Sequence, residues 1–148
     1  MERHPQRGFT VAEILTALVV VAVLTAIAIP MWRAHVLRVH RAEARDALIA
    51  LQSAQDNFFG RNARYATAAQ LTAKPPGGLG LKATSENGLF AVSLTTSADG
   101  LGYLATARAT TQNGQDSDTR CTEFSIDQVG QMRARDSTGA DRSADCWH

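Results

Sequence analysis

Cysteine and histidine are scarce in this chain, at two and four of 148 residues. Cys121 and Cys146 are too few to build a disulfide miniprotein and wrongly spaced for a zinc site. His4, His35, His40 and His148 are scattered, and His35 and His40, five residues apart, point in different directions on a helix. They form no Ser–His–Asp or Cys–His set, so no catalysis, metal or cofactor is expected. Charge of one sign is lacking too: 15 Lys and Arg against 14 Asp and Glu leave a formal charge of +1. A general nucleic-acid binder needs a basic excess to replace counterions. No strip of basic residues interleaved with aromatics offers a stacking platform either, so dedicated nucleic-acid binding is not expected. Asp116-Ser117-Asp118 lacks the Gly and the bidentate Glu of an EF-hand loop and reads as a solvated turn.

Apolar sequence is present in quantity, and in one place. From Ile14 to Trp32, 19 consecutive residues carry no charge. As a helix this run spans roughly 28 Å, close to the hydrocarbon thickness of a bilayer. It reads as a membrane segment, with Trp32 at the interface. An ordinary secretory signal places its apolar middle before a small-residue cleavage site. Here residues 1–8 are polar throughout, and the apolar stretch follows Gly8 directly, so a cut after Gly8 leaves it on the mature protein. That cut removes two Arg and one Glu, taking 15 basic residues to 13 and 14 acidic residues to 13, a formally neutral chain. One residue breaks the apolar pattern. Glu13 lies where an ionised carboxylate costs about 3 kcal/mol or more. A free amine on Phe9, four residues earlier, sits one turn away on the same face and suits it as a partner, on its own or a neighbouring chain. A Glu that snorkels to the membrane edge or is protonated is the other reading, and the spacing leaves both open.

The run Arg7-Gly8-Phe9-Thr10-Val11-Ala12-Glu13-Ile14-Leu15, with apolar sequence onward to Pro30, resembles the type IV pilin family. The resemblance implies a class III leader over residues 1–8, cleavage between Gly8 and Phe9 by a dedicated prepilin peptidase, and N-methylation of Phe9. It implies that Glu13 supports recruitment and packing in a filament by pairing with an N-terminal amine. Pro30 has no N–H, leaves the carbonyl of Ala26 without its helical donor and loosens the helix there. In the family this is where the chain loosens during assembly; a static kink is the alternative. Charge counting does not orient the segment, since Arg3 and Arg7 precede it and Arg33, Arg38, Arg41 and Arg45 follow. The family and the cysteine pair place the C-terminal part in the periplasm.

Beyond Trp32 a helical pattern continues to about Gly60, with Ala44, Ala47, Leu48, Leu51, Ala54 and Phe58 on one stripe. Arg38, Arg41, Arg45, Gln52 and Asp56 fall largely elsewhere, and the arginines after Trp32 read as juxtamembrane solvated groups, with acidic headgroups or a neighbouring pilin as alternative partners. Residues 61–87, with Pro75-Pro76-Gly77-Gly78 and Glu86-Asn87-Gly88, read as a loop with turns. They resemble the pilin αβ-loop, opened by Phe58–Asn62 and Tyr65. Period-two alternation then predicts strands around Phe90–Leu94, Tyr103–Ala109 and Phe124–Ile126, and a turn near Val129-Gly130 precedes a weaker strand around Met132–Arg135. The predicted fold is α+β: a long N-terminal helix, membrane-spanning in its first half and amphipathic in its second, packed on three or four antiparallel strands within residues 88–135. Residues 135–145 show no periodicity and need fastening. A Cys121–Cys146 bond, as in the pilin D-region, closes residues 121–146 and is worth about 3.5 kcal/mol by loop entropy; two free thiols and pairing between chains are the alternatives. Trp147 reads as a packing residue beside that bond.

These expectations divide the chain into a leader (1–8), a membrane and filament-core helix (9–32) and a periplasmic domain (33–148). The resemblance is strongest to PilE-type minor pilins, structural subunits that help prime a type IV pilus and so serve twitching motility, adhesion and DNA uptake. Their partners are other minor and major pilins, the prepilin peptidase, the inner membrane and its assembly platform. A type II secretion pseudopilin, a major pilin and a filament-displayed binding module such as a DNA-uptake receptor are the alternatives. Mass spectrometry of the mature N-terminus tests the leader. It is expected to begin at methylated Phe9, and Gly8→Ala is expected to accumulate the longer, unprocessed chain; a native protein beginning at Met1 contradicts this.

Overall fold

A computed structural model describes residues 10–147, so the leader with Gly8, and Phe9, lie outside the described residues. Helix α1 (Val11–Asn62) is followed by a short 3-10 turn (Ala68–Gln70) and strands β1 (Phe90–Thr96) and β2 (Tyr103–Ala109). An irregular 3-10 segment (Gln112–Ser117) then leads to β3 (Glu123–Asp127), β4 (Met132–Arg135) and a last short helix α2 (Ser143–Cys146). The chain divides into two units, the first ending at Val36 and the second beginning at Leu37.

The first unit is the apolar part of α1. Ile14, Leu18, Val21, Leu24, Ile27 and their neighbours are all exposed, and the segment is long and apolar enough to cross a membrane. Its few hydroxyls are satisfied internally: Thr25 donates to the Val21 carbonyl at 2.7 Å, and Thr16 to the carbonyls of Ala12 and Glu13. A side chain that returns its hydrogen bond to its own helix leaves no polar group unsatisfied in lipid.

The second unit is built on the rest of α1. Ala44, Leu48, Leu51 and Phe58 recur at helical spacing and are buried against a four-stranded antiparallel sheet of order β1-β2-β3-β4. Inward residues alternate along each strand: Phe90, Val92 and Leu94; Tyr103, Ala105 and Ala107; Phe124 and Ile126; Ala134. The register sets Val92 against Ala107 and Ala107 against Phe124. Because β2 offers only alanines there, the rings of Phe90 and Phe124 meet edge-on over it at 5.8 Å, a favourable aromatic geometry. A second aromatic group, Phe59, Tyr65 and Tyr103, has centroid separations of 4.6 and 4.8 Å. It fixes the start of the connection after α1, where the Tyr65 N–H also donates to Gly100.

Three details differ from the sequence expectation. The helix does not stop at Gly60; it ends at Asn62, where Ala63 turns to φ 53° and the Asn62 amide donates back to Phe58. The αβ-loop is more ordered than a run of turns. It contains the 3-10 turn, and Thr84 bridges to Ala91 on the β1 edge. Gly78 is required there by close approach, since a Cβ would lie 2.4 Å from the Gln70 carbonyl oxygen. The C-terminal stretch contains α2, and Asp141 bridges to Arg135.

Gln55 sits fully buried in the apolar stripe, between Leu51 and Phe58. Its amide oxygen accepts from the Ala66 N–H at 2.8 Å, and its nitrogen donates to the Ala66 carbonyl at 3.0 Å. Thr96 also donates to that carbonyl, so only the N–H depends on Gln55 alone. Gln55→Ala strands this buried donor and is expected to lower stability by about 1–3 kcal/mol. Thermal or urea unfolding of the full chain in detergent reads the loss; an unchanged midpoint contradicts the assignment.

Candidate functional site

At the start of α1, Glu13 has a partner that neither sequence reading supplied. The Thr10 N–H and the Thr10 hydroxyl both donate to Glu13 Oε2 at 2.8 Å, while the Glu13 N–H donates back to the Thr10 hydroxyl at 3.3 Å. This reciprocal arrangement is a capping box, in which an N-terminal Thr and the residue three later satisfy two open helix donors. Its signature, Thr-x-x-Glu, stands in the sequence at Thr10 to Glu13. The Phe9 amine invoked for Glu13 lies outside the described residues. Pro30 lies inside α1, with helix on either side of it.

In the domain, α1 fastens the connections as well as the sheet. Arg41 Nε and Nη2 donate to the two carboxylate oxygens of Asp118 at 2.7 and 2.9 Å, a bidentate pair whose side chains are only 12% and 4% exposed. His40 Nδ1 lies 3.0 Å from Gln115 Oε1. Together these two contacts tie the β2–β3 connection to the helix. Arg45 donates to the Trp147 carbonyl at 3.0 Å and ties down the C-terminus. Two sequence expectations are therefore corrected. Arg41 and Arg45 are not solvated juxtamembrane groups, and Asp118 does not belong to a solvated turn. The pairing joins residues 77 positions apart, so no local pattern announces it.

Cys121 and Cys146 are joined in one chain, with Cα atoms 5.9 Å apart. The adjacent Trp147 packs edge-on against Phe124 at 5.9 Å. Arg120 pairs with Asp145, and Arg142 with Asp136. The Asp136 carboxyl is held down to about 2 by the Thr138 hydroxyl, helped by the N–H groups of Thr138 and Ala140 and by Arg142. These bonds order the stretch in which the sequence showed no pattern.

On the other side of α1, Glu43 accepts from the Asn87 N–H at 2.8 Å and from its amide at 3.0 Å. Burial works against the Glu43 charge, but hydrogen bonds from Ser85, Asn87 and Leu89 outweigh it and keep the carboxyl below its usual range. Between this part of α1 and the αβ-loop lies an open groove of about 630 Å³. Its walls include Glu43, Asp46, Ala50, Leu81, Lys82 and Glu86.

A long apolar helix whose distal half packs on a four-stranded antiparallel sheet closed by a C-terminal disulfide is the pilin fold. A solved structure described as a type IV pilin from Shewanella oneidensis superimposes with a TM-score of 0.51 over 76% of this chain and 98% of that one, at 20% identity. Residues 3–29 match the model of the prokaryotic N-terminal methylation motif. Residues 30–125, well over half the chain, match a family model described as "Type IV minor pilin ComP, DNA uptake sequence receptor". The chain belongs to this family of type IV minor pilins. Among curated relatives, the type II secretion system core protein G of Klebsiella michiganensis is 33% identical over 70 residues, 47% of this chain and 49% of that protein. The type IV major pilin protein PilA of Myxococcus xanthus is 39% identical over 59 residues, 40% of this chain and 27% of that protein. The chain thus spans about half the length of the first and about a quarter of the second.

Breaking a buried ion pair from one side leaves the other charge without compensation, at a cost of about 3–5 kcal/mol. Asp118→Ala and Arg41→Ala are each expected to destabilise the domain by that order. Replacing both by apolar residues of similar size is expected to cost much less. Urea unfolding of the four proteins reads the difference; two single losses that simply add in the double variant contradict coupling.

Proposed function

We propose that this protein is a structural minor subunit of a type IV pilus. It is stored in the inner membrane by the apolar half of α1, with its domain in the periplasm, and is carried into the filament by the same helix. The observation that carries this reading is the apolar segment of α1. No large apolar side chain from Val11 to Trp32 is buried within its own chain, yet the segment carries the acidic Glu13 in its first turn and follows the polar residues 1–8 closely. Such a surface is stable only in lipid or among similar helices. The prepilin peptidase, other pilins and the inner-membrane assembly platform are its partners on this reading, and its part is to prime or build the filament rather than to catalyse. Glu13, released from Thr10, pairs with a processed N-terminal amine, and Pro30 gives the helix its freedom to loosen.

A second reading is supported by the description of the matched family model as a DNA uptake sequence receptor. It runs against the expectation from composition, since the processed chain is formally neutral. On this reading the filament displays the domain and the domain holds DNA. Binding by full-length protein, with a steep loss of affinity on raising salt, supports it; no retention of duplex DNA at low salt removes it.

Glu13→Val tests the first reading. It leaves cleavage after Gly8 intact and is expected to reduce the amount recovered in sheared filaments about tenfold or more, with the membrane pool retained. Normal incorporation contradicts the role given to Glu13.

A further inference from the structure

Three of the chain's four asparagines have their side-chain amides held. Asn57 and Asn62 donate to the carbonyls of Ser53 and Phe58, one turn back in α1. Asn87 donates to Glu43 Oε2 at 3.0 Å, and its N–H donates to Glu43 Oε1 at 2.8 Å. Asn113 is exposed, and its amide has no hydrogen-bond partner among the described residues. Its backbone is unusual too. It lies in the left-handed region at φ 50°, ψ 24°, and Gly114 follows it there at φ 69°, ψ 25°. A residue with a Cβ adopts that region at some cost, which asparagine bears better than most.

Asn87 and Asn113 each precede a glycine, whose amide nitrogen no Cβ screens. That nitrogen is placed to close a five-membered ring on the asparagine side chain. The two glycine N–H groups are engaged alike, Gly114 with the Thr111 carbonyl at 3.1 Å and Gly88 with the Ser85 carbonyl at 3.0 Å. The grip on the side chain is what separates the two sites.

We infer that Asn113 is a site of spontaneous deamidation in the folded protein, and that Glu43 protects Asn87 from the same reaction. The Gly114 nitrogen loses its proton to solvent and bonds to Cγ of Asn113. The Cγ–Nδ2 bond breaks, and Nδ2 takes up a proton and leaves as ammonia. Water then opens the succinimide at either carbonyl, giving aspartate or, with the chain rerouted through Cβ, isoaspartate. At Asn87 both bonds to Glu43 must first break, and bonds to an ionised carboxylate are the stronger kind. Each event at Asn113 adds one negative charge, so the 13 basic and 13 acidic residues of the processed chain become 13 and 14. Gln115 and Asp118, which hold this connection to α1, are buried, so the new charge falls on its exposed side.

Incubation of the full-length protein in detergent at mildly alkaline pH, followed by mass spectrometry over time, tests the inference. Trypsin cuts after Lys82, Arg108 and Arg120, which places the two asparagines on separate peptides. Measured against the same digest at time zero, Asn113 is expected to convert about tenfold faster than Asn87 or more, the factor set by one charge-assisted hydrogen bond. In urea-unfolded protein the two sites are expected to convert at similar rates, because both are Asn-Gly. Glu43→Ala is expected to raise the Asn87 rate toward that of Asn113 and to leave Asn113 unchanged. An Asn113 that stays intact in the folded protein overturns the inference, as does an Asn87 that converts as fast. An Asn87 unmoved by Glu43→Ala, or a rise at both sites together, removes the protection assigned to Glu43.

Discussion

A helix that is apolar on all sides and buried nowhere in its own chain cannot rest in water. Roughly 25 cal/mol for each Å² left wet sets the penalty, and the residues from Val11 to Trp32 leave large apolar side chains exposed at every turn. Lipid removes that penalty, and so does a bundle of like helices. On the proposed filament reading the subunit needs both homes at different times and must not be committed to either. Thr16 and Thr25 satisfy their hydroxyls within the helix, and Thr10 holds Glu13 at its start. The carboxylate at the front of the segment thus has a local partner.

The domain answers a different demand. Its sheet is small, and long connections make up much of the chain, so loops must be held as firmly as strands. The same helix that supplies the apolar core also supplies the fastenings. Gln55 secures the start of the αβ-loop and Glu43 its end. Arg41 holds the β2–β3 connection and Arg45 the C-terminus. The Cys121–Cys146 bond then links those last two segments to each other. Desolvating Arg41 and Asp118 costs free energy that the bidentate geometry offsets. In return the connection has one position on the helix instead of many.

What could be read in advance followed from periodicity. The strands around Phe90, Tyr103 and Phe124 alternate cleanly, the one at Met132 only weakly, and the stripe from Ala44 to Phe58 recurs at helical spacing, so sheet and helix were legible. Polar residues were not, because their partners are remote in sequence. Arg41 looked like its neighbours Arg38 and Arg45 until Asp118 came within 2.7 Å of it. Gln55 is a buried fastening within the stripe, and its partner Ala66 lies beyond the end of the helix. Thr10 is the exception: its partner is three residues away, and the pattern was there to be read. The helix end was misplaced for a simple reason, since Gly60 is permissive rather than obligatory for a stop, and Ala63 takes the left-handed turn instead.

The central claim is that one apolar helix serves first as a membrane anchor and then as the means of polymerisation. Quantifying the protein in alkali-washed membranes and in purified surface filaments, with pilus assembly switched off and then on, tests it most directly. The account predicts that the chain stays with the membrane pellet when assembly is off, and that a fraction carrying residues 9–32 intact moves into filaments when it is on. A domain released into the soluble fraction without that segment, or filaments that never contain it, would contradict the account.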